Sequence, residues 1–187
     1  MLSYTKMYRI NKLIGTNRKL FHTNDLAVLW GIENRHNLYM TISRYLKKGI
    51  LFPVYKGLYS IVPVIEINPL DLGRAIIHDY TYLSTESVLA QAGIISQIVY
   101  DITFIANKPK RVQVGDWTFR YRQMKDELLY HPAGINEEEY GFIATTERAV
   151  ADMLYYNPMY HFDIPELVDF KKVKNIQDEV GYARVLG

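Results

Sequence analysis

The sequence contains no cysteine among its 187 residues. This absence excludes disulfide bonds, thiolate nucleophiles and every zinc site that needs sulfur ligands. Long apolar runs are also missing, because the longest uncharged stretch, Ser87 to Tyr100, has 14 residues, whereas a membrane-spanning helix needs about 18. Lys6, Arg9 and Lys12 interrupt any apolar run that a secretory signal peptide would need. The sequence therefore predicts a cytoplasmic protein with no membrane contact.

Signals for catalysis are equally sparse. The five histidines are scattered, and none occurs in an HxH or HExxH spacing, so no metal site is predicted. No serine lies in the Gly-x-Ser-x-Gly sequence of a nucleophile elbow. We therefore predict no catalytic residues, no metal and no cofactor.

The charge is divided unevenly along the chain. Residues 1–68 contain ten Lys and Arg against three Asp and Glu, a net charge of +7. Residues 69–187 contain twelve against seventeen, a net charge of −5, and the two parts sum to the +2 of the whole chain. Such a division fits a nucleic-acid-binding module joined to a protein-contacting or regulatory module, and it also fits a solvated surface whose charges are unevenly shared; composition alone favours neither strongly.

Three helices are predicted near the start of the chain. The first covers residues 2–14, is ended by Gly15, and has an apolar face of Met7, Ile10 and Ile14. The second is short, with a capping segment at residues 22–25 and Gly31 as its end. The third runs from Asn34 to Lys48, where Gly49 stops it.

The third helix has an apolar side and a polar, basic side. At about 100° per residue, Leu38, Ile42, Tyr45 and Leu46 share the inner side. The outer side is polar apart from Met40. The residues predicted to bind DNA are Arg35, His36, Asn37, Ser43, Arg44, Lys47 and Lys48, together with Lys56 in the segment that follows.

That following segment predicts a β-hairpin. Residues 50–55 and 58–62 are rich in β-branched and aromatic residues, and Lys56–Gly57 separates them as a turn. Three helices followed by a hairpin are the order of a winged helix-turn-helix, which we predict for residues 1–62. His36, Asn37 and Arg44 would reach base edges or phosphates, and the lysines would mainly neutralise phosphates. Two prolines then predict an extended linker over residues 63–69.

A second domain of α+β class is predicted over residues 70–187. Helices are expected over residues 70–79, from a Ser84 or Thr85 cap to Gly93, from a Thr145 cap to Tyr156, and, at most, within residues 169–185. Strands are expected at 102–106, 111–114 and 117–124, forming an antiparallel meander, and again at 140–144. The whole chain is thus predicted to be α+β, with the meander flanked by helices.

Two kinds of site are conceivable in this second domain. Glu86, Asp101, Lys108 and Asp116 are the residue types of a metal-dependent nuclease, but their spacing does not match one. Lys110, Arg111, Arg120 and Arg122 form a basic group, in which Arg120 and Arg122 alternate along one strand. The alternative is that Phe119 and Tyr121 face the core while the arginines are solvated or paired with acids.

The order of motifs resembles a known family, the AbiEi-type antitoxins of type IV toxin–antitoxin systems, which are abortive-infection transcriptional regulators. The resemblance covers roughly residues 20–157 and lies in LKKGILFPVYKGLYSIVP, YTYLSTESVLAQAGII, ITFIANKPKRVQVGDWTFRYRQM and YGFIATTERAVADMLYY. It implies a cytoplasmic repressor that binds inverted repeats in its own promoter. It also implies a non-enzymatic C-terminal domain that counters a nucleotidyltransferase-like toxin, by direct contact or otherwise.

The resemblance leads us to expect an antitoxin surface at Lys110, Arg111, Arg120 and Arg122, in a monomer or weak dimer. Two other functions stay open on the sequence alone. One is a transcription regulator whose second domain senses a ligand or partner. The other is a nuclease that carries a DNA-recognition module.

Overall fold

The computed structural model describes residues 4–182, which divide into two compact units between Asn68 and Pro69. The fold is a mixture of helices and two sheets, so the predicted α+β class is confirmed. The predicted linker is not fully extended, since Val64–Glu66 forms a 3-10 helix and Ile67 is buried. Pro63 has φ −53°, a value that fits a tight helical turn as well as an extended chain.

No helix within residues 4–182 is both long enough and apolar enough to span a bilayer.

The first unit alternates helices with short strands. Its elements are α1 (Tyr4–Ile14), β1 (Leu20–His22), α2 (Thr23–Trp30), α3 (Arg35–Lys47), β2 (Phe52–Tyr55) and β3 (Leu58–Ser60). The three strands form an antiparallel sheet in the order β1-β3-β2. The three predicted helices and the hairpin are present, whereas β1 has only three residues and no recognisable alternation in the sequence.

The core of this unit corrects the predicted face of α1. Leu13 and Phe21 are almost fully buried with residues of α2 and α3, and Ile10 packs against this cluster. Met7 and Ile14, predicted to face the core, are 50% and 63% exposed. The buried stripe is centred on Ile10 and Leu13, which are three residues apart on one helical face.

The second unit contains a six-stranded mixed sheet. Its elements are α4 (Pro69–Ile76), β4 (Thr81–Leu83), α5 (Glu86–Gln91), β5 (Asp101–Ala106), β6 (Lys110–Val114), β7 (Trp117–Gln123), α6 (Asp126–Leu129), β8 (Ile135–Glu138), β9 (Gly141–Ala144), α7 (Thr146–Tyr156) and α8 (Phe170–Val180). The strand order is β6-β7-β5-β4-β9-β8. The sequence prediction missed β4, α6 and β8, which are three or four residues long.

The predicted antiparallel meander is wrong. β6 and β7 form an antiparallel hairpin, but β5 pairs in parallel with β7 and antiparallel with β4. The physical reason lies in burial, since the last four residues of β5 are all buried, whereas β6 alternates between buried and exposed residues. A continuous apolar run belongs in the middle of a sheet, and alternation belongs where one face is solvated.

The connection from β4 to α5 has Thr85 at the predicted capping position, but without the expected side-chain hydrogen bond. Thr85 occupies the N-cap position of α5, but its hydroxyl makes no capping hydrogen bond. Its backbone has φ 50° and ψ −130°, a conformation that non-glycine residues rarely adopt. Ser84 donates its hydroxyl to Asp152 at 2.7 Å instead of capping the helix. The chain thus turns sharply at two buried polar residues, both 0% exposed.

Candidate nucleic-acid interface

Local sequence signals fix the position of α3. Asn34 begins the helix by accepting a hydrogen bond from the backbone N–H of Asn37 at 3.0 Å. Gly49 follows the helix with φ +63°, a conformation that glycine adopts without strain. Leu38, Thr41, Ile42 and Tyr45 are buried against the core. The opposite side of α3 is therefore held facing solvent.

The predicted DNA-binding residues are all exposed. They are Arg35, His36, Asn37, Ser43, Arg44 and Lys47 on α3, Lys48 directly after it, and Lys56 between β2 and β3. Tyr39 and Met40 add apolar surface to α3, at 52% and 49% exposure. The sequence prediction had noted Met40 but not Tyr39, because Tyr39 lies beside the polar stripe instead of within it.

The cations of this surface have no acidic partners. Among residues 4–182, Arg35, Arg44, Lys47, Lys48 and Lys56 form no ion pair. Arg44 donates its Nε to the carbonyl oxygen of Met40 at 3.1 Å, which leaves its two terminal amino groups for other acceptors.

Acidic residues are scarce around this surface. α3 has no acid in its 13 residues, and Asp25 is already paired with Arg18 at 3.1 Å. Glu33 is exposed just before the helix begins. The outward face of α3 is consequently a region of unneutralised positive charge with few internal competitors for an anion.

The β2–β3 turn is anchored to the start of α2. The carbonyl oxygen of Gly57 accepts hydrogen bonds from the backbone N–H of Thr23 at 2.8 Å and from its hydroxyl at 3.1 Å. Gly57 has φ +71°, and an added Cβ would lie 3.2 Å from the Thr23 hydroxyl oxygen. The turn therefore needs glycine, and its anchor holds the exposed Lys56 in place.

A cavity of about 440 Å³ lies between α2 and α3. Its apolar lining includes Ala27, Val28, Ile32 and Tyr39, and Val28 is 83% exposed. The sequence prediction missed this feature, because α2 is apolar on most of its surface and offers no contrast between faces. The cavity places apolar surface beside the basic N-terminal turn of α3.

The second predicted surface lies on β7 and has a different character. Arg120 and Arg122 project from one side of the strand, while Phe119 and Tyr121 are buried on the other. This arrangement confirms the prediction that both arginines share a side.

Most of these basic side chains are paired with acids. Arg111 and Arg120 contact Asp101 at 3.0 and 2.8 Å, and Arg122 pairs with Glu86. Lys110 donates to the carbonyl oxygen of Ile76 at 3.3 Å. The alternative of arginines paired with the acids of their own domain is therefore the one that the structure bears out.

The arginines around Asp101 also affect its pKa. Burial raises the pKa of Asp101, but hydrogen bonds and charges from Arg111 and Arg120 outweigh it and hold that pKa below its ordinary value. The hydrogen bonds that Arg111 donates to Asp101 in turn raise the pKa of Arg111. Each group thus stabilises the charged form of the other.

Of the four residues considered for catalysis, Glu86 and Asp101 line one pocket, whereas Lys108 and Asp116 lie outside its lining. Glu86 and Asp101 are occupied by arginines, and Lys108 and Asp116 are exposed in turns on either side of β6. Ser87 accepts a hydrogen bond from the backbone N–H of Thr103 at 2.8 Å. Within the described part of the chain, no three His, Asp or Glu side chains are grouped so as to hold a metal ion.

A buried polar network was missed by the sequence prediction. Arg148 and Asp152, one turn apart on α7, are both 0% exposed and pair at 2.9 Å. Arg148 also donates to the hydroxyl of Tyr82 and to three backbone carbonyls, while Ser84 and Tyr182 donate to Asp152. Burial lowers the pKa of Arg148, but Asp152, Tyr82 and Tyr182 outweigh it and raise that pKa above its ordinary value.

This network has a recognisable sequence signal. Arg148 and Asp152 have the i,i+4 spacing of a helical ion pair, on a helix that the sequence predicts. Since every group in the network has a partner, it offers no free group to a ligand, and the loss of one charged member would leave the other charge buried and unpaired.

No protein-family model matches this sequence, and no curated protein matches it either.

Proposed function

We propose that residues 1–68 form a winged helix-turn-helix that binds double-stranded DNA, with α3 in the major groove and the β2–β3 hairpin as the wing. The support is topological. A helix, a strand, two helices and two strands follow one another, and the sheet order is β1-β3-β2. A major groove about 12 Å wide accommodates one α-helix.

The outward face of α3 carries this proposal. Its cations have no acidic partner among the described residues, and the helix contains no acid. His36, Asn37 and Arg44 would reach base edges, and Lys47, Lys48 and Lys56 would neutralise phosphates. Exposed cations without acidic partners are the groups that phosphate contacts require.

For the whole chain we propose a DNA-binding antitoxin that represses its own operon. This rests on the resemblance to the AbiEi-type antitoxins together with the unlike charges of the two units, +7 and −5. Residues 69–187 would counter a nucleotidyltransferase-like toxin without catalysing a reaction, in the cytoplasm. The nuclease alternative loses support because Glu86 and Asp101 are paired with arginines.

The DNA-binding proposal is tested with the full chain and two matched double variants. Lys47→Ala with Lys48→Ala removes two exposed lysines of the proposed interface. Lys171→Ala with Lys174→Ala removes two exposed lysines of α8 and changes the net charge equally. Binding to the duplex upstream of its own gene is measured by gel shift over a range of salt concentrations.

The wild type should bind with an affinity that falls steeply as salt rises. Each phosphate contact contributes about −0.9 to the slope of log K against log salt. The α3 variant should therefore lose up to about two units of slope, while the α8 variant keeps the wild-type slope. Absence of binding by the wild type, or equal losses in the two variants, contradicts the proposal.

The antitoxin proposal needs a separate assay in growing cells. The gene next to this one is first tested for a nucleotidyltransferase-like toxin, and that toxin is then expressed with the wild type, with the α3 double variant, and with Arg120→Ala and Arg122→Ala combined. The wild type and the α3 double variant should restore growth. The arginine double variant should not restore it, and its folding is checked by thermal unfolding. Full rescue by the arginine variant would contradict the proposed antitoxin surface. Failure of the wild type to restore growth would contradict the antitoxin function.

A further inference from the structure

Met40 lies at the centre of the outward face of α3. At about 100° per residue, His36, Asn37, Arg44 and Lys47 all fall within about 60° of its direction. The buried residues Leu38 and Ile42 point about 160° away from it, and they are 3% and 2% exposed. The flexible, apolar side chain of Met40, 49% exposed, thus lies on the part of α3 that would approach the major groove most closely.

Polar side chains flank Met40 along the helix axis. Asn37 precedes it by about 4.5 Å and Arg44 follows it by about 6 Å, from a rise of 1.5 Å per residue. The hydrogen bond from Arg44 Nε to the backbone carbonyl oxygen of Met40, 3.1 Å long, holds the guanidinium within one turn of Met40 along the helix. The three residues together span about three base-pair rises of 3.4 Å.

Each of the three side chains matches a different chemical group of the major groove. Asparagine pairs with adenine, arginine pairs with guanine, and the C5-methyl of thymine is the apolar group on the base edges of the groove. A thioether chain cannot donate a hydrogen bond and accepts one only weakly. A methyl group is therefore the base-edge feature that suits Met40.

We infer that Met40 is a specificity-determining residue that contacts the C5-methyl group of a thymine in the DNA site. This inference rests on the proposed DNA-binding function. The contact selects an A·T pair near the middle of the segment covered by α3. Its strength comes from apolar surface removed from water and not from charge.

The test removes that methyl group alone. A preferred duplex is first selected from random DNA with the wild-type full chain. Each thymine of this duplex is then replaced in turn by uracil, which lacks the C5-methyl. Affinities are measured for the wild type, for Met40→Ala and for Met7→Ala. Met7 is a matched control, since it is a helical methionine of the same unit with 50% exposure.

In the selected duplex, one thymine should be contacted by Met40. Uracil at that position should weaken wild-type binding about fourfold, which is the effect of losing the burial of one methyl group. The same uracil should leave Met40→Ala binding unchanged, because that variant no longer contacts the methyl. Met7→Ala should respond as the wild type does. Met40→Ala should also keep the wild-type salt dependence and oligomeric state.

The outcomes separate this inference from the function on which it rests. If the wild type selects no duplex, the DNA-binding proposal fails. If a duplex is selected but no uracil weakens binding, or if uracil weakens Met40→Ala equally, Met40 does not read thymine and DNA binding stands. A change of oligomeric state in Met40→Ala would place the residue at a contact between chains and would also overturn the inference.

Discussion

The two units hold their cations in opposite ways. On α3, Arg35, Arg44 and Lys47 form no ion pair among the described residues. In the second unit, Arg111, Arg120 and Arg122 each contact a carboxylate, and Arg148 is buried in a complete network. The same residue types are thus exposed as free charge in one unit and serve as internal partners in the other.

The net charges explain this difference. With +7, the first unit has too few acids to neutralise its cations, whereas the second, with −5, has an acid available for many of its own. A basic motif therefore indicates an anion-binding surface only where acids are scarce nearby. By this criterion α3 is the stronger candidate for an anion-binding surface. The β7 arginines mainly form ion pairs within their own unit.

The largest expected effect comes from Arg148. Arg148→Met leaves Asp152 buried without its cation and should lower the free energy of unfolding by about 3–5 kcal/mol. The measurement is the urea midpoint of the full chain. Arg120→Ala, at a pair with 45% exposure on the arginine, is the control and should cost at most about 1 kcal/mol.

A second change distinguishes lost charge from lost packing at this site. Adding Asp152→Asn to Arg148→Met removes the uncompensated charge and keeps one of the two oxygens of residue 152, of which Oδ2 accepts a hydrogen bond from Ser84 and Oδ1 accepts one from Tyr182. The double variant should be more stable than Arg148→Met alone. If it is not, or if Arg148→Met costs less than Arg120→Ala, the two classes of arginine do not differ as described.

The next effect concerns the free cations. Arg44→Ala should reduce the preference for the selected duplex over random DNA by about 1–3 kcal/mol, the discrimination of one bidentate base contact. Lys56→Ala should weaken binding to both duplexes alike, because phosphates are the same in every sequence. Both affinities are obtained from competition gel shifts at one salt concentration.

Equal losses for the two variants on both duplexes would contradict these separate roles. Such equal losses would mean that Arg44 on α3 and Lys56 in the hairpin turn both contribute only charge to DNA binding. The first unit would then differ from the second only in how much charge it leaves unpaired.

Local signals made α3 and its exposed face predictable from the sequence. Asn34, Gly49 and the 3.6-residue period act within a few residues, so they fix where the helix begins, ends and faces. The face of α1 was assigned wrongly because Met7, Ile10, Leu13 and Ile14 offer two overlapping apolar stripes. Contacts with other helices, which the sequence does not display, decide between the stripes.

The partners of the β7 arginines depend on strand order and so were not predictable. Asp101 reaches Arg120 because β5 pairs in parallel with β7, with Thr103 opposite Arg120. The same register through β6 sets Arg111 opposite Arg120. Alternation along β7 correctly gave the side on which its arginines project, but pairing between distant segments decided what they meet there.

The smallest expected effect tests the feature that most separates the two surfaces. Asp101→Asn leaves Arg111 and Arg120 without a carboxylate partner, as the arginines of α3 are. Since Arg120 is 45% exposed, the loss of its pair with Asp101 should cost no more than about 1 kcal/mol at pH 7.

The pKa of folded Asp101 is lowered by its arginines. The stability that it contributes is therefore present above the unfolded pKa of about 3.9 and is lost as the pH falls through the folded pKa. Urea unfolding of the wild type and Asp101→Asn should differ at pH 7 and converge once the pH falls below the folded pKa of Asp101, whereas a pH-independent difference would mean that the charge of Asp101 contributes nothing to its pairs with the two arginines.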